Sequence, residues 1–323
     1  MKKKEKQHKT SVGGQALIEG IMMKGPRGTA MSVRLPSGEI ETEYKEAKPW
    51  RDKCKFFGIP LVRGGVGFAE SMVTGYKYLM ESAEKSTQGL EDETENMSKL
   101  DRWINEHFGE KMMNVIGGIS AVLGIGLAFF LFMWLPTYLV DLATGGNLLN
   151  FHALFEGIIR VVIFVLYMLL VSQMKDIKRV FMYHGAEHKS IFCYENGLEL
   201  TVENVRKQSR FHPRCGTSFM FVMILLSILL SSALVLIFPA LADVNRVLWI
   251  LIKLLILPLV MGIGYEFIRY AGRHDNVLVK ILAAPGLWMQ RITTKEPTDD
   301  IIEVGIASLQ AVLTDNSEDD EIK

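Results

Sequence analysis

The chain has 323 residues, 49% of them hydrophobic, and its mean hydropathy is +0.20. That is more apolar character than a soluble domain usually carries, and it is gathered into long runs, which points to a membrane protein. With 36 basic and 36 acidic residues there is no net charge, so no global basic field exists for nucleic acid and no nucleic-acid partner is expected.

Charge is patterned along the chain instead. The N-terminus is basic (Lys2, Lys3, Lys4, Lys6, Lys9) and the tail is acidic (Asp315, Glu318, Asp319, Asp320, Glu321). Cys54, Cys193 and Cys215 are too few, and odd in number, for a disulfide framework, which fits a reducing compartment. No apolar h-region follows the basic N-terminus, so no signal peptide is expected.

Residues 1–50 form a cytoplasmic glycine-rich segment. Runs 30–35 and 39–45 flank Pro36-Ser37-Gly38 and read as a β-hairpin. A lone hairpin is marginal, so it must pack on something else. Residues 51–100 follow as an amphipathic helix and an acidic linker. Phe68, Met72, Tyr76 and Leu79 recur at helical spacing, suiting a helix on the membrane or on the bundle; a re-entrant segment is the alternative.

Residues 101–268 contain four runs of about the length a bilayer requires, ~20 residues. They are Met112 to Val140, Leu154 to Met174, Gly216 to Ala242 and Val247 to Phe267. Glu156 and Arg160, spaced i, i+4, read as a surface ion pair, and Lys253 as a snorkelling cation. Loop 175–215 is rich in Lys and Arg, as is the segment after the fourth run, while the other two loops are nearly free of them. The positive-inside rule then puts both termini and the 175–215 loop in the cytoplasm. Residues 269–323 complete the chain: an interfacial turn at 281–289, an amphipathic helix at 300–313 and the acidic tail. The expected fold class is a mainly α membrane protein with about four transmembrane helices and a small cytoplasmic α+β portion.

The chemistry-bearing motif is His184-Gly185-Ala186-Glu187-His188. On a helix its two imidazoles face one way, one turn apart, as two ligands of one metal would, with Glu187 beside them as a candidate catalytic base. His212 and Cys215, with two residues between them, and Glu266, at the end of the fourth run, are further candidate ligands on the same side of the membrane. Imidazole and thiolate suit zinc or another divalent transition metal. Two arrangements are open. In a closed site, His184, His188, His212 and Cys215 form a structural tetrahedron. In an open site, both motif histidines and one of His212, Cys215 or Glu266 leave a position for water. Cys54 and Cys193 read as structural.

Several motifs together resemble the YqhQ-like family of bacterial multi-pass membrane proteins. They are Gly13-Gly14-Gln15-Ala16-Leu17-Ile18-Glu19-Gly20-Ile21-Met22-Met23, Arg63-Gly64-Gly65, His184 to Lys189, His212-Pro213-Arg214-Cys215-Gly216-Thr217, Gly264-Tyr265-Glu266-Phe267 and Pro285-Gly286-Leu287-Trp288. The resemblance runs from Ser11 to Leu313. It implies a cell-membrane location and a family of unknown function, often labelled a metal-dependent enzyme.

Three functions are weighed. The first is a metal-dependent hydrolase of a membrane-associated substrate. The second is a non-enzymatic scaffold or chaperone for other membrane proteins. The third is a transporter, ranked last because the runs hold few polar or broken-helix features. Membrane lipid is the expected partner in each.

Overall fold

The computed structural model describes residues 8–88, 118–145 apart from 121, 152–314 apart from 275, and 319–320. Most of the basic N-terminus, the acidic linker from residue 89, the start of the first expected span at Met112 and most of the acidic tail lie outside the described residues.

Four strands open the chain as a meander: β1 (Gly13–Leu17), β2 (Gly20–Lys24), β3 (Gly28–Arg34) and β4 (Ile40–Glu46), each antiparallel to the next. The expected hairpin is β3–β4, paired from Gly28↔Glu46 to Arg34↔Ile40. Gly38 turns it at φ 89°, a left-handed conformation that costs glycine little. The single hairpin expected at 30–45 was too small, because the glycine-rich stretch before it is itself a strand pair, Gly13↔Lys24 to Leu17↔Gly20.

The helices that follow are α1 (Val62–Thr87), α2 (Gly118–Thr144), α3 (His152–Val171), α4 (Lys175–Glu195), α5 (Val202–Arg206), α6 (Gly216–Ile237), α7 (Arg246–Arg273), α8 (Val277–Thr293) and α9 (Asp299–Gln310). Four are long and apolar enough to cross a bilayer, over Gly118–Thr144, Ala153–Val171, Met220–Ile237 and Val247–Ala271. α7 runs through Pro258 as one helix. The basic segment expected as a loop at 175–215 is mostly α4 and α5. The expected turn at 281–289 is the middle of α8, continuous through Pro285.

The chain divides into two compact units. The first holds Met1–Ser86, Tyr167–Leu226 and Ile256–Lys323. Its sheet is a middle layer. Ile21, Met23 and Ala30 pack with Tyr183, Ala186, Ile301, Val304 and Leu309 from α4 and α9. Leu17, Met22, Met31 and Val33, on the opposite face, pack with Tyr78 of α1. The strand alternation is intact, but both faces are apolar. The expected docked helix at 300–313 is α9, whose Ser308 hydroxyl donates to the Ile21 carbonyl at 3.0 Å. Glu19, at φ 50° in the β1–β2 turn, is held by both the Arg179 guanidinium and the Tyr183 hydroxyl.

The second unit holds Thr87–Leu166 and Ser227–Leu255. It overturns two expectations. Glu156, Arg160 and Lys253 are neither surface nor snorkelling residues: they are 1%, 9% and 6% exposed. One Glu156 oxygen accepts from Arg160 at 2.6 Å and also from Lys253, and the other from the Trp249 indole at 3.4 Å. Arg160 Nε donates to the Phe132 carbonyl at 2.8 Å, inside a π-helical turn at Phe130–Trp134. A wider turn disturbs the i→i+4 ladder, and in an apolar phase a displaced carbonyl needs a donor. Burial and pairing therefore come together: charges inside a membrane segment persist where they face one another.

Candidate metal centre

Three side chains converge in the first unit. α4 supplies His184 and His188, and the chain just before α6 supplies Cys215. One ligand atom from each lies within 4.8 Å of the other two. His184 Nε2 and Cys215 Sγ are 3.1 Å apart, and the two imidazole centroids are 4.5 Å apart.

The outer nitrogens decide what these rings can do. His184 Nδ1 lies 2.8 Å from the Thr293 carbonyl oxygen, and His188 Nδ1 lies 2.6 Å from that of Arg210. A carbonyl can only accept, so each Nδ1 carries the proton and donates. In its neutral form each ring then has its lone pair on Nε2, the form in which histidine binds metals, oriented by a carbonyl behind it. The residues present therefore fit a divalent transition metal held by two imidazoles and a thiolate.

The chain segments that carry these carbonyls are tied to their neighbours. Arg210 binds the Thr294 carbonyl and, at 3.1 Å, its hydroxyl, and Lys295 N–H donates to the Phe181 carbonyl at 2.8 Å. Gly185 makes this approach possible: a Cβ there would sit 2.1 Å from the Lys295 carbonyl oxygen.

The other expected site residues go elsewhere. His212 is buried beside His188, with ring centroids 5.5 Å apart, but lies outside the three-residue cluster. Its backbone N–H and carbonyl both bond the Gln290 side chain at 2.7 Å. Its Nε2 finds no hydrogen-bond partner among the described residues, the Glu195 carboxylate standing 3.8 Å away. Burial, with Arg214 and His188 nearby, lowers the His212 pKa to about 4, against the opposing pull of Glu195. Burial pushes Glu195 up, but His212 and Arg214 hold it below the usual carboxylate range. Glu266 also lies outside the cluster, its carboxylate taken by Arg63 at 2.6 and 2.5 Å.

Glu187 is buried and turned toward the sheet, where it accepts from Gly14 N–H at 3.0 Å. A Cβ at Gly14 would lie 2.6 Å from the Met22 carbonyl oxygen and 3.1 Å from Glu187 Cδ, so only glycine admits this contact. Burial raises the Glu187 pKa, with His184 and the Gly14 N–H offsetting only part of the rise. Of the groups missed from the sequence, Glu195 had a signal: it follows His188 by seven residues, on the same helical face. Thr293, Arg210 and Gln290 act at positions no motif marks.

These features define a mainly helical protein with four bilayer-length apolar helices, a four-stranded sheet and a His-His-Cys cluster between α4 and the start of α6. Residues 59–315 match the family model "Protein of unknown function (DUF1385)". The chain is 33% identical over 312 residues to "Uncharacterized protein YqhQ" of Bacillus subtilis (strain 168), covering 93% of this chain and 92% of that protein. It belongs to this bacterial family of unknown function. No solved structure matches the chain.

Proposed function

We propose that the chain is a multi-pass protein of the cell membrane whose His184, His188 and Cys215 bind zinc or a similar divalent transition metal on the cytoplasmic face. One observation carries this reading: backbone carbonyls engage Nδ1 of both imidazoles, and one ligand atom from each of the two rings and the Cys215 thiol lies within 4.8 Å of the others. The basic residues around α4 and after α7 support the cytoplasmic placement.

Three ligands resemble the open arrangement more than the closed one, since His212 stands apart. Metal-dependent hydrolysis of a membrane-associated substrate is the reaction class this set suits best. A metal held there would supply a Lewis acid and acidify a water in the remaining position. The protein's own part is to orient both rings and to present a thiol that deprotonates on binding. Glu187 is not the base in this reading. It anchors β1 to α4 through Gly14 and so keeps the metal-bearing helix on the sheet.

The test is the metal content of the detergent-purified protein, compared with a His184→Ala/His188→Ala double variant and with Cys215→Ser. Stoichiometric metal in the wild type, absent from the double variant and reduced in Cys215→Ser, is the expected result. A folded wild type that stays metal-free after reconstitution overturns the proposal and moves the search to membrane-protein partners. With metal present, hydrolysis assays on Glu187→Gln separate anchoring from base catalysis: the anchoring role predicts retained turnover.

A further inference from the structure

The segment between β4 and α1 has no role in the metal centre, yet it exposes apolar side chains outside the bilayer-length helices. Phe56, Ile59 and Leu61 are 58%, 47% and 41% exposed, and Arg51, Lys53 and Lys55 beside them are exposed as well. In water this would be an unfavourable surface.

Its contacts place it. Leu61 packs backbone to backbone on α7: a Cβ at Gly262 would lie 2.5 Å from the Leu61 carbonyl oxygen and 2.8 Å from its Cα. One turn on, a Cβ at Gly64 would lie 2.9 Å from Gly262 Cα and 2.7 Å from Tyr265 Cβ. Two glycines thus let the start of α1 lie against α7. Gly262 belongs to the apolar run Val247–Ala271, within an uncharged stretch that extends from Leu254 to Tyr265. It lies one turn, about 6 Å, inside Glu266. Arg63 closes the end of that stretch by pairing with Glu266.

The other end of the segment is tied higher up. Trp50 N–H donates to Glu70 Oε2 at 2.9 Å, and the other Glu70 oxygen accepts from Lys24 of the sheet at 2.6 Å. Glu70 stands about 12 Å along α1 from Val62. From there α1 continues to the sheet, where Tyr78 is buried. The chain therefore leaves the sheet, descends from Trp50 to Leu61 beside the membrane-length helix, and returns as α1.

We propose that residues 50–61 are a re-entrant membrane element, with Phe56, Ile59 and Leu61 in the acyl region of the leaflet nearest the sheet. Arg51, Lys53 and Lys55 lie at its phosphate headgroups, a cationic rim of the kind that anchors interfacial segments. The occupant is phospholipid, because the surface is continuous with that of a bilayer-length helix and its charged rim, three cations and Asp52, which pairs with Arg51 at 3.7 Å, is net cationic. This inference does not depend on the metal.

The experiment uses the full chain in nanodiscs of mixed zwitterionic and anionic phospholipid. Cys54→Ser removes the exposed native thiol, and Cys193 and Cys215 are buried. Ile59→Cys then carries a bimane label, with Glu39→Cys, in the β3–β4 turn, as the aqueous reference. Nitroxide on the lipid acyl chains should remove most of the Ile59 signal and little of the Glu39 signal, and aqueous iodide should do the reverse. Gly262→Leu, which denies Leu61 its seat, should reduce the lipid quenching at Ile59 in a protein that still elutes as a single species. Iodide quenching at Ile59 equal to the reference would overturn the proposal. So would a label reached by neither quencher, because protein rather than lipid would then cover the segment.

Discussion

Glu156→Leu tests the charge network inside the apolar helices. The carboxylate takes donors from Arg160, Lys253 and Trp249, and all three charged residues are buried. Removing it leaves two cations side by side without a counter-ion. Breaking a buried pair from one side costs about 3–5 kcal/mol. At about 1.4 kcal/mol per decade, the folded population should fall by a factor of about a hundred to a few thousand. Reversible unfolding in mixed micelles would measure it.

The decisive comparison is Glu156→Leu/Arg160→Leu/Lys253→Met, which removes every charge. Buried networks replaced by apolar residues of similar volume are often close to neutral, so most of the loss should return. A remainder of about 1 kcal/mol is expected, because the Phe132 carbonyl loses its Arg160 donor. A single variant as stable as wild type would refute the reasoning, since it would mean that these groups are hydrated.

Other outcomes follow from the same contacts. His212 is held neutral when folded, with its pKa lowered from 6.5 to about 4. The unfolded chain takes up that proton first, so stability is complete above pH ~6.5 and falls by about 3 kcal/mol as pH drops toward ~4. Melting curves in chelator, compared with His212→Asn, would isolate this contribution; a variant with the same slope refutes it. Gly185→Ala should destabilise by about 1–3 kcal/mol and lower metal content, because its methyl group meets the Lys295 backbone behind His184. Glu187→Gln should fold normally, since an amide oxygen can still accept from Gly14 N–H, whereas Glu187→Leu should melt earlier. Leu309→Ala, in the core between sheet and helices, should cost about 2–5 kcal/mol by denaturant titration.

The apolar runs were legible without coordinates because a bilayer-length helix needs only local composition, and all four return as helices. The i, i+4 spacing of His184 and His188 likewise fixed a shared face, because helix geometry is local. The stripe Ile302, Ile306, Leu309 marked α9 for the same reason. The sheet was half hidden: β2 and β3 are buried on both faces, so their sequences lack the polar alternation that marks an exposed strand. Tertiary structure alone decided which third side chain joins the two histidines. His212 and Cys215 are three positions apart in an irregular segment, where Gln290 fixes the backbone of one and the other meets His184. It also gave Glu266 to Arg63 and Glu156 to Lys253, partners 203 and 97 positions away. Local spacing fixes which way a side chain faces along its own helix. What it meets there depends on segments that only folding brings near, because a charge takes whichever counter-charge the packed helices place within reach.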